Sequence, residues 1–166
     1  MRTDVGTPEN VRYVAEHMRD DDEREFLGLT PCFNRAELVE ALVKAYGNHP
    51  AVFCAYHEDE PVAIGALISH RPNVGTVLFL ATDKIAEPYI GVPVTRFIKS
   101  RLLPKYRDNG MHRVEAVSIE GHTQAHRWIE AIGLSQEGPP LQGYGKNGET
   151  YIQFAWVRDD VRSPGA

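Results

Sequence analysis

One segment, residues 113–134, constrains the fold of this chain more than any other. Its first part is rich in β-forming apolar residues, and Glu120-Gly121-His122 then supplies a tight turn. The residues that follow have apolar side chains at the i, i+3, i+4 and i+7 spacing of one helix face: Ala125, Trp128, Ile129 and Ile132. Gly133 suits the left-handed position that ends a helix. The segment therefore predicts a strand, a turn and a helix in succession.

Other patterns place this unit in a longer order of elements. A helix is expected after Thr7, where Pro8 suits the first helical position. A second is expected after residues 22–25, which can form a capping box, and a third after Asn34. Three strands are expected in the middle of the chain: residues 51–56, 61–69 and 76–82. A helix at residues 94–103 follows them. Near the end, Asn147-Gly148 is a strong hairpin signal and predicts two paired strands: residues 141–144 and 149–156. This order predicts an α/β fold with a mixed sheet layered with helices.

Length, charge and hydropathy exclude several classes of protein. The 166 residues form a single domain of ordinary size, which we assign to residues 1–157, with residues 158–166 as a polar tail. A net charge of −5 argues against general nucleic-acid binding, which needs a basic surface. No apolar run reaches the about 20 residues that cross a bilayer, and no signal-type segment opens the chain. We therefore expect a cytoplasmic protein outside the membrane, with Cys32 and Cys54 reduced.

The strand-turn-helix segment resembles the second half of the acetyl-coenzyme A (acetyl-CoA) binding core of the GNAT acyltransferases. There, a strand precedes an Asn, an Ala three residues later, and a helix ending in Tyr-x-x-x-Gly-Phe. The matching positions here are His122, Ala125, Ile129, Gly133 and Leu134. His122 thus replaces the Asn, and Ile129 replaces a Tyr that often protonates the leaving thiolate. The resemblance runs over residues 11–156. It implies a GNAT-like central twisted sheet of about six to seven strands with helices on both faces.

The same resemblance implies acetyl-CoA as co-substrate and a phosphate-binding loop before the central helix. The family's Arg/Gln-x-x-Gly-x-Gly/Ala pattern survives only at Gly91, because Pro88 and Pro93 replace its other fixed positions. Backbone N–H groups at a helix start favour an anion. The predicted cofactor-binding residues come from the strand end, the loop and the helix starts: Leu80, Ala81, Thr82, Ile90, Gly91, Val92, Val94, Thr95 and His122.

The helix at residues 94–103 and its exit are strongly basic. The cations are Arg96, Lys99, Arg101, Lys105 and Arg107. We interpret them either as an ordinary solvated face or as contacts to the phosphates of the cofactor or to an acidic partner.

The chemistry implied by the resemblance needs a neutral amine, an oxyanion donor and a proton source for the thiolate. The oxyanion donor in the family is largely backbone, here around residues 80–82. Asp83, the first acid after that strand, and Glu120, at the end of the next strand, are the candidate bases. For each of them, a solvated loop acid is the more common interpretation, since Asp and Glu are usually exposed. Tyr89 and Tyr144 are the alternatives for the missing proton donor.

Two histidines have a spacing that can bind a metal. His122 and His126 lie at i and i+4. A zinc site needs at least a third protein ligand, and no carboxylate follows at the spacing of known zinc motifs. We therefore expect no metal site here.

A second, shorter resemblance concerns residues 11–25. They resemble the start of GNAT-like proteins of tailed phages, which include relatives of the internal virion protein A of short-tailed phages. Such proteins keep the fold while the cofactor signature is eroded. Two hypotheses follow: an acetyl-CoA-dependent N-acyltransferase that acts on an unidentified amine, or a phage or prophage protein with a structural or protein-binding role. A homodimer or a virion partner belongs to these expectations, and we favour the enzyme.

Overall fold

The computed structural model describes residues 1–162, which contain one seven-stranded sheet. The strands are β1 (Arg2–Val5), β2 (Phe53–His57), β3 (Glu60–Arg71), β4 (Val74–Ala81), β5 (Arg113–Ile119), β6 (Ser135–Gln136) and β7 (Tyr151–Val157). Their spatial order is β1-β2-β3-β4-β5-β7-β6. Only β4 and β5 pair in parallel; all other neighbours are antiparallel. The predicted mixed sheet and its number of strands are confirmed.

Six α-helices accompany the sheet. They are α1 (Pro8–Glu16), α2 (Asp20–Leu29), α3 (Arg35–Tyr46), α4 (Pro88–Phe97), α5 (Leu103–Asp108) and α6 (Thr123–Ala131). A single π-helical turn (Ile98–Leu102) joins α4 to α5, and a 3₁₀ turn (Asp83–Ala86) precedes α4. Proline at position 104 explains the irregular junction, because it cannot donate to the carbonyl four residues earlier.

Two apolar clusters lie on opposite faces of the sheet. The first is built from α1, α3 and side chains such as Ile64 and Leu80. The second is built from α4, α5, α6 and side chains such as Ala116 and Phe154. Because neighbouring residues of a strand point to opposite faces, β2, β3 and β4 each contribute to both clusters. The expected helices on both faces are therefore confirmed.

The starts of the first three helices test the capping residues predicted from the sequence. Thr7 accepts from the Asn10 N–H at 3.2 Å and caps α1 as predicted. Asn34 accepts from the Glu37 N–H at 2.9 Å and caps α3. The predicted capping box at residues 22–25 is wrong, because α2 starts earlier, at Asp20, and its acidic side chains bind elsewhere in the fold.

The two ends of the sheet differ from expectation. Strand β1 was not predicted; it pairs with β2 from Arg2↔Tyr56 to Val5↔Phe53. The predicted hairpin is wrong on its first side, because residues 141–144 contribute only one bridge, Leu141↔Tyr151. The partner of β7 on that edge is β6. The Asn147-Gly148 turn instead closes a compact loop, in which the Gly145 N–H donates to the Glu149 carbonyl at 3.0 Å.

The candidate phosphate loop is the most consequential difference. Residues 88–93 were expected as a loop, but they form the first two turns of α4. Pro88 occupies a first-turn position, where its missing N–H costs nothing. Pro93 lies inside the helix. The connection from β4 to α4 is therefore made by residues 82–87.

The polar tail lies partly outside the described residues, which end at 162, and the domain boundary after residue 157 stays a prediction. Residues 159–161 form a short 3₁₀ turn. Within residues 1–162 no helix is both long and apolar enough to cross a membrane.

The packing of α2 against β7 depends on one glycine. A Cβ at Gly28 would meet the Tyr151 hydroxyl at 2.3 Å, and that hydroxyl donates to the Glu25 carbonyl at 2.6 Å. We predict that Gly28→Ala lowers the free energy of unfolding by about 1–3 kcal/mol through overpacking. Tyr151→Phe alone should cost about 0.5–1.5 kcal/mol, the value of one hydrogen bond. Urea denaturation measures both.

The double variant is the decisive control. In Gly28→Ala/Tyr151→Phe the hydroxyl is gone, so the new methyl group has room and the better helix propensity of Ala remains. The double variant should be less destabilised than the sum of the single variants. Strict additivity would show that this contact does not set the position of α2.

Candidate active site

The site begins where two parallel strands separate. Strands β4 and β5 pair at only three positions, Val74↔Arg113, Gly75↔Val114 and Thr76↔Glu115. Beyond Thr76 they diverge, while β5 stays paired along its other edge with β7. The last five residues of β4 therefore have no strand beside them on the β5 side. Unpaired backbone groups in a protein interior need other partners.

A cavity of about 960 Å³ passes through this opening. On one face of the sheet it is lined by α4 and α6, including Gly91, Thr95 and Trp128. On the other face it is lined by α2 and α3, including Phe26 and Leu42. A volume of this size is in the range of small-molecule and cofactor sites.

Asp22 closes the β4 side of the opening. Its carboxylate accepts from the Ala81 N–H at 3.0 Å and from Arg19 at 2.8 and 3.1 Å. The side chain is 3% exposed. Burial raises the pKa of the Asp22 carboxyl group above its ordinary value, against the opposing charge and hydrogen bonds of Arg19. A buried carboxylate thus replaces the missing strand at the end of β4.

Glu25, one helical turn later in α2, performs the same role for β5. Its carboxylate accepts from the Ile119 N–H at 2.8 Å and from the Ser118 hydroxyl. Its own carbonyl accepts from Tyr151, which fixes α2 to the sheet. Residues three apart on a helix share a face, so α2 directs both carboxylates into the opening.

His122 lies between these carboxylates. Its side chain is 1% exposed, with Nδ1 3.4 Å from Glu25 Oε2 and Nε2 3.9 Å from Asp22 Oδ1. A carboxylate only accepts hydrogen bonds, so the contact to Glu25 favours a proton on Nδ1. Nε2 then carries a lone pair, and it has no hydrogen-bond partner among residues 1–162. A buried, unpaired acceptor beside a carboxylate is a place for a donor from outside the protein.

The predicted bases lie elsewhere. Asp83, in the 3₁₀ turn after β4, and Glu120, in the turn after β5, are exposed and do not line the cavity. Tyr89 is 63% exposed and packs edge-on against His57, while Tyr144 packs against Tyr151 outside the cavity. Of the residues predicted by number, the structure brings the His122 ring and the Ala81 N–H to the carboxylate pair.

At the strand end predicted to bind the cofactor, most backbone N–H groups already have hydrogen-bond partners within the protein. The Thr82 N–H donates to the Val62 carbonyl at 3.0 Å, and the Ala81 N–H is bound by Asp22. Leu80 pairs with Ile64 of β3. Since successive residues alternate in direction, the Phe79 N–H points to the same side as that of Ala81, into the opening.

The predicted contacts from α4 have a different geometry from the expected loop. The N–H groups of Ile90 and Gly91 both donate to the Glu87 carbonyl, at 2.9 and 2.8 Å. Val92, Val94 and Thr95 are interior residues of α4, and Val94 is fully buried. Gly91 is required for close packing, because a Cβ there would meet the Ile85 carbonyl oxygen at 2.4 Å. These residues contribute walls of the cavity rather than free N–H groups.

An aromatic pair narrows the opening on the α6 side. Trp128 stacks on Phe79 of β4 with ring centroids 4.4 Å apart, and its Nε1 donates to the Thr95 hydroxyl at 3.2 Å. The indole therefore forms a wall of the cavity. Ile129, at the position of the family's Tyr, is 5% exposed and belongs to the apolar cluster behind it.

Sequence reasoning missed Asp22 and Glu25 because the acidic run was interpreted as a helix start. One signal was available. In α2 the acids Asp22 and Glu25 lie at i and i+3, next to the apolar Phe26, whereas Asp20 and Asp21 point to solvent. Acids on the apolar side of an amphipathic helix are unusual and mark a buried polar contact.

Comparison with solved structures identifies the fold. The ribosomal-protein-S5-alanine acetyltransferase from Vibrio fischeri superposes with a TM-score of 0.65 at 15% identity, covering 97% of this chain and 94% of that one. A GNAT superfamily phosphinothricin acetyltransferase from Sinorhizobium meliloti, in complex with AcCoA, gives 0.68 at 15% identity, covering 99% and 94%. AAC(6')-Ib, in complex with ribostamycin and coenzyme A, gives 0.64 at 15% identity, covering 98% and 97%. The chain has the GNAT fold.

Comparison of sequences adds nothing to this. No protein-family model matches the chain, and no curated protein sequence matches it. The expected resemblance to the GNAT fold is confirmed by structure, while the narrower resemblance to phage proteins gains no support.

The Asp22 carboxylate offers a test of how the opening is held. We predict that Asp22→Ala lowers the free energy of unfolding by about 3–5 kcal/mol, since it leaves the half-buried Arg19 and the Ala81 N–H without partners. Asp22→Asn should cost far less, because its amide oxygen still accepts and no charge is desolvated. Equal losses in the two variants, measured by urea denaturation at neutral pH, would contradict this account.

Proposed function

We propose that this protein is an acetyl-CoA-dependent N-acetyltransferase. The observation that carries the proposal is the opening between β4 and β5, with an unpaired buried histidine nitrogen at its end. The GNAT fold supports it, because two of the similar structures hold AcCoA or coenzyme A. Fold alone does not set function, so the argument rests on these side chains.

The residues present fit the co-substrate in three respects. The opening gives an apolar passage through the sheet, bounded by Phe79 and Trp128. Arg96 and Lys99 line the cavity on the α4 side and supply positive charge for phosphates. At the start of α4 the Tyr89 N–H has no backbone acceptor within the described residues and is open to solvent or to an anion. The predicted residues Gly91, Val92, Val94 and Thr95 would act here as cavity walls.

Acetyl-CoA, when bound, supplies an activated acetyl thioester. The amine that accepts the acetyl group arrives mostly as an ammonium ion. The 3.9 Å gap between Asp22 Oδ1 and His122 Nε2 lets one ammonium donate to both acceptors. Nε2 then takes a proton and leaves a neutral amine. Glu25, on Nδ1, stabilises the imidazolium that forms.

The reaction needs two further groups from this chain, a donor to the developing oxyanion and a proton donor for the sulfur. The Phe79 N–H, directed into the opening, would donate to the carbonyl oxygen as that oxygen gains negative charge. The sulfur that leaves needs a proton, and Ile129 cannot provide one. His122 holds the proton taken from the ammonium on Nε2, so it can give that proton to the sulfur. The emptied Nε2 would then take the second proton, which the nitrogen loses as the amide forms, and release it to solvent. One residue would thus serve as base and then as acid, which accounts for an active site without the family's Tyr.

The alternative is a GNAT-fold protein with a structural role. Two observations favour it. The Ala81 N–H is already bound by Asp22, and Pro88 and Pro93 replace fixed positions of the family's phosphate-binding pattern. Failure to bind acetyl-CoA in a calorimetric titration would select this alternative and overturn the proposal.

His122→Asn is the sharpest test of the mechanism. The Asn amide can replace Nδ1–H as donor to Glu25, but it has no counterpart of Nε2. We predict that kcat falls by about 10²–10⁴, the usual contribution of a general base, while the affinity for acetyl-CoA stays the same. Steady-state kinetics and calorimetry measure these effects.

His126→Gln is the matched control. His126 lies one turn further along α6, and its Nε2 contacts the Ile119 carbonyl at 3.1 Å outside the cavity. This variant should keep wild-type kinetics. Loss of activity in Asp83→Asn or Glu120→Gln, with His122→Asn unaffected, would instead restore the bases expected from the sequence.

The cation pair on α4 tests where the phosphates bind. Arg96→Glu/Lys99→Glu should weaken acetyl-CoA binding by about tenfold or more and reduce its dependence on salt, because two attractive charges become repulsive. Arg101→Glu/Lys105→Glu, in the same basic run but outside the cavity lining, is the control with an equal change of charge. Equal effects of the two changes would mean that only net charge matters. Gly91 is unsuitable for such a test, since any side chain there collides with Ile85.

A further inference from the structure

We propose that the acceptor is a small primary amine with one positive charge and an apolar aliphatic or aromatic substituent. This inference rests on the proposed function and concerns the half of the cavity on the α2 and α3 side of the sheet. Three properties of that half carry it: its apolar walls, its charge and one buried hydroxyl group.

The walls of this half are apolar. They are formed by Phe26 and Leu29 of α2, Leu42 and Tyr46 of α3, and Ile68 and Leu78 of the sheet. Leu42, Ile68 and Leu78 are each less than 9% exposed. Burial raises the pKa of the Tyr46 hydroxyl, so this ring also presents an uncharged surface. An apolar substituent gains free energy in proportion to the surface that such walls remove from water.

The charge of this half suits a single cation. Among the described residues, its charged side chains are Arg19, Asp22 and Glu25, with the exposed His70 at the rim. Arg19 and Asp22 form an ion pair at 2.8 Å and compensate one another. Glu25 is left as the one surplus negative charge. A monocation balances it, whereas each further charge of a polyamine would be desolvated without a partner.

The polar groups of this half are too few for a peptide. Each residue of a bound peptide brings an N–H and a carbonyl that need partners once buried. Beyond the ion pair and Glu25, the polar side chains of this lining are the hydroxyl groups of Thr30, Tyr46 and Thr76 and the exposed His70, and the Thr30 hydroxyl has no hydrogen-bond partner within residues 1–162. A few separate hydroxyl groups can serve the polar atoms of a small molecule, but they do not pair the repeated N–H and carbonyl groups of a backbone.

The test has two stages, so that the two proposals fail separately. Calorimetry with acetyl-CoA comes first, and absence of binding overturns both. With binding established, kcat/KM is measured for propylamine, butylamine, pentylamine and hexylamine. Each added methylene should raise kcat/KM by about threefold to fourfold, the value of burying one such group. Spermidine and a hexapeptide with an amino-terminal alanine serve as comparators and should be poorer substrates than hexylamine.

A flat alkylamine series, or a preference for spermidine or the peptide, would overturn the inference while leaving the acetyltransferase proposal intact. Two variants connect the result to this half of the cavity. Phe26→Ala should reduce the gain per methylene, and Phe33→Ala is its control, because Phe33 is 84% exposed and lies outside the cavity. Thr30→Val should lower KM for hexylamine severalfold, since it removes an unpaired hydroxyl without changing shape. An unchanged series in Phe26→Ala would place the substituent elsewhere and contradict the assignment.

Discussion

The separation of two parallel strands is the constraint on which the rest of this structure depends. Once β4 and β5 diverge, the backbone of each lacks a partner inside the protein, which is costly unless other groups take that place. Helix α2 provides them: Asp22 binds the end of β4, and Glu25 binds the end of β5. The same carboxylates surround His122. The solution to a folding problem therefore creates a polar site at the end of an apolar passage.

Because α2 has this double role, stability and function are coupled through its position. Tyr151 of β7 and the backbone of Lys146, which donates to the Gly28 carbonyl at 2.8 Å, both hold the helix against the sheet. The loop at residues 138–150 thus helps to hold α2 in position, although none of its residues lines the cavity. A change there would act on catalysis by displacing Asp22 and Glu25 relative to His122, without contact to any substrate.

The sequence predicts those parts of the fold whose causes are local. Periodicity was enough for the strand, turn and helix of residues 113–134, and short-range hydrogen bonds were enough for the starts of α1 and α3. Local sequence patterns could not locate the candidate site, because the hydrogen-bond partners of Asp22 and Glu25 are 59 and 94 residues away in the chain. The start of α4 was not predicted for a related reason: Gly91 matches the loop motif, yet Pro88 and Gly91 equally suit a helix that packs on Ile85.

The buried Asp22 carboxylate shows that such a site lowers the stability of the fold. Its pKa is raised in the folded state, so its contribution to stability is present at low pH and is lost as pH rises through that raised value. In its ionised form the group therefore opposes folding, and Arg19 offsets only part of the penalty. An ammonium ion bound between Asp22 and His122 would favour the ionised form again. The ionised carboxylate thus costs the empty protein stability that a bound amine would restore, while its hydrogen bond to the Ala81 N–H and its ion pair with Arg19 keep it in place.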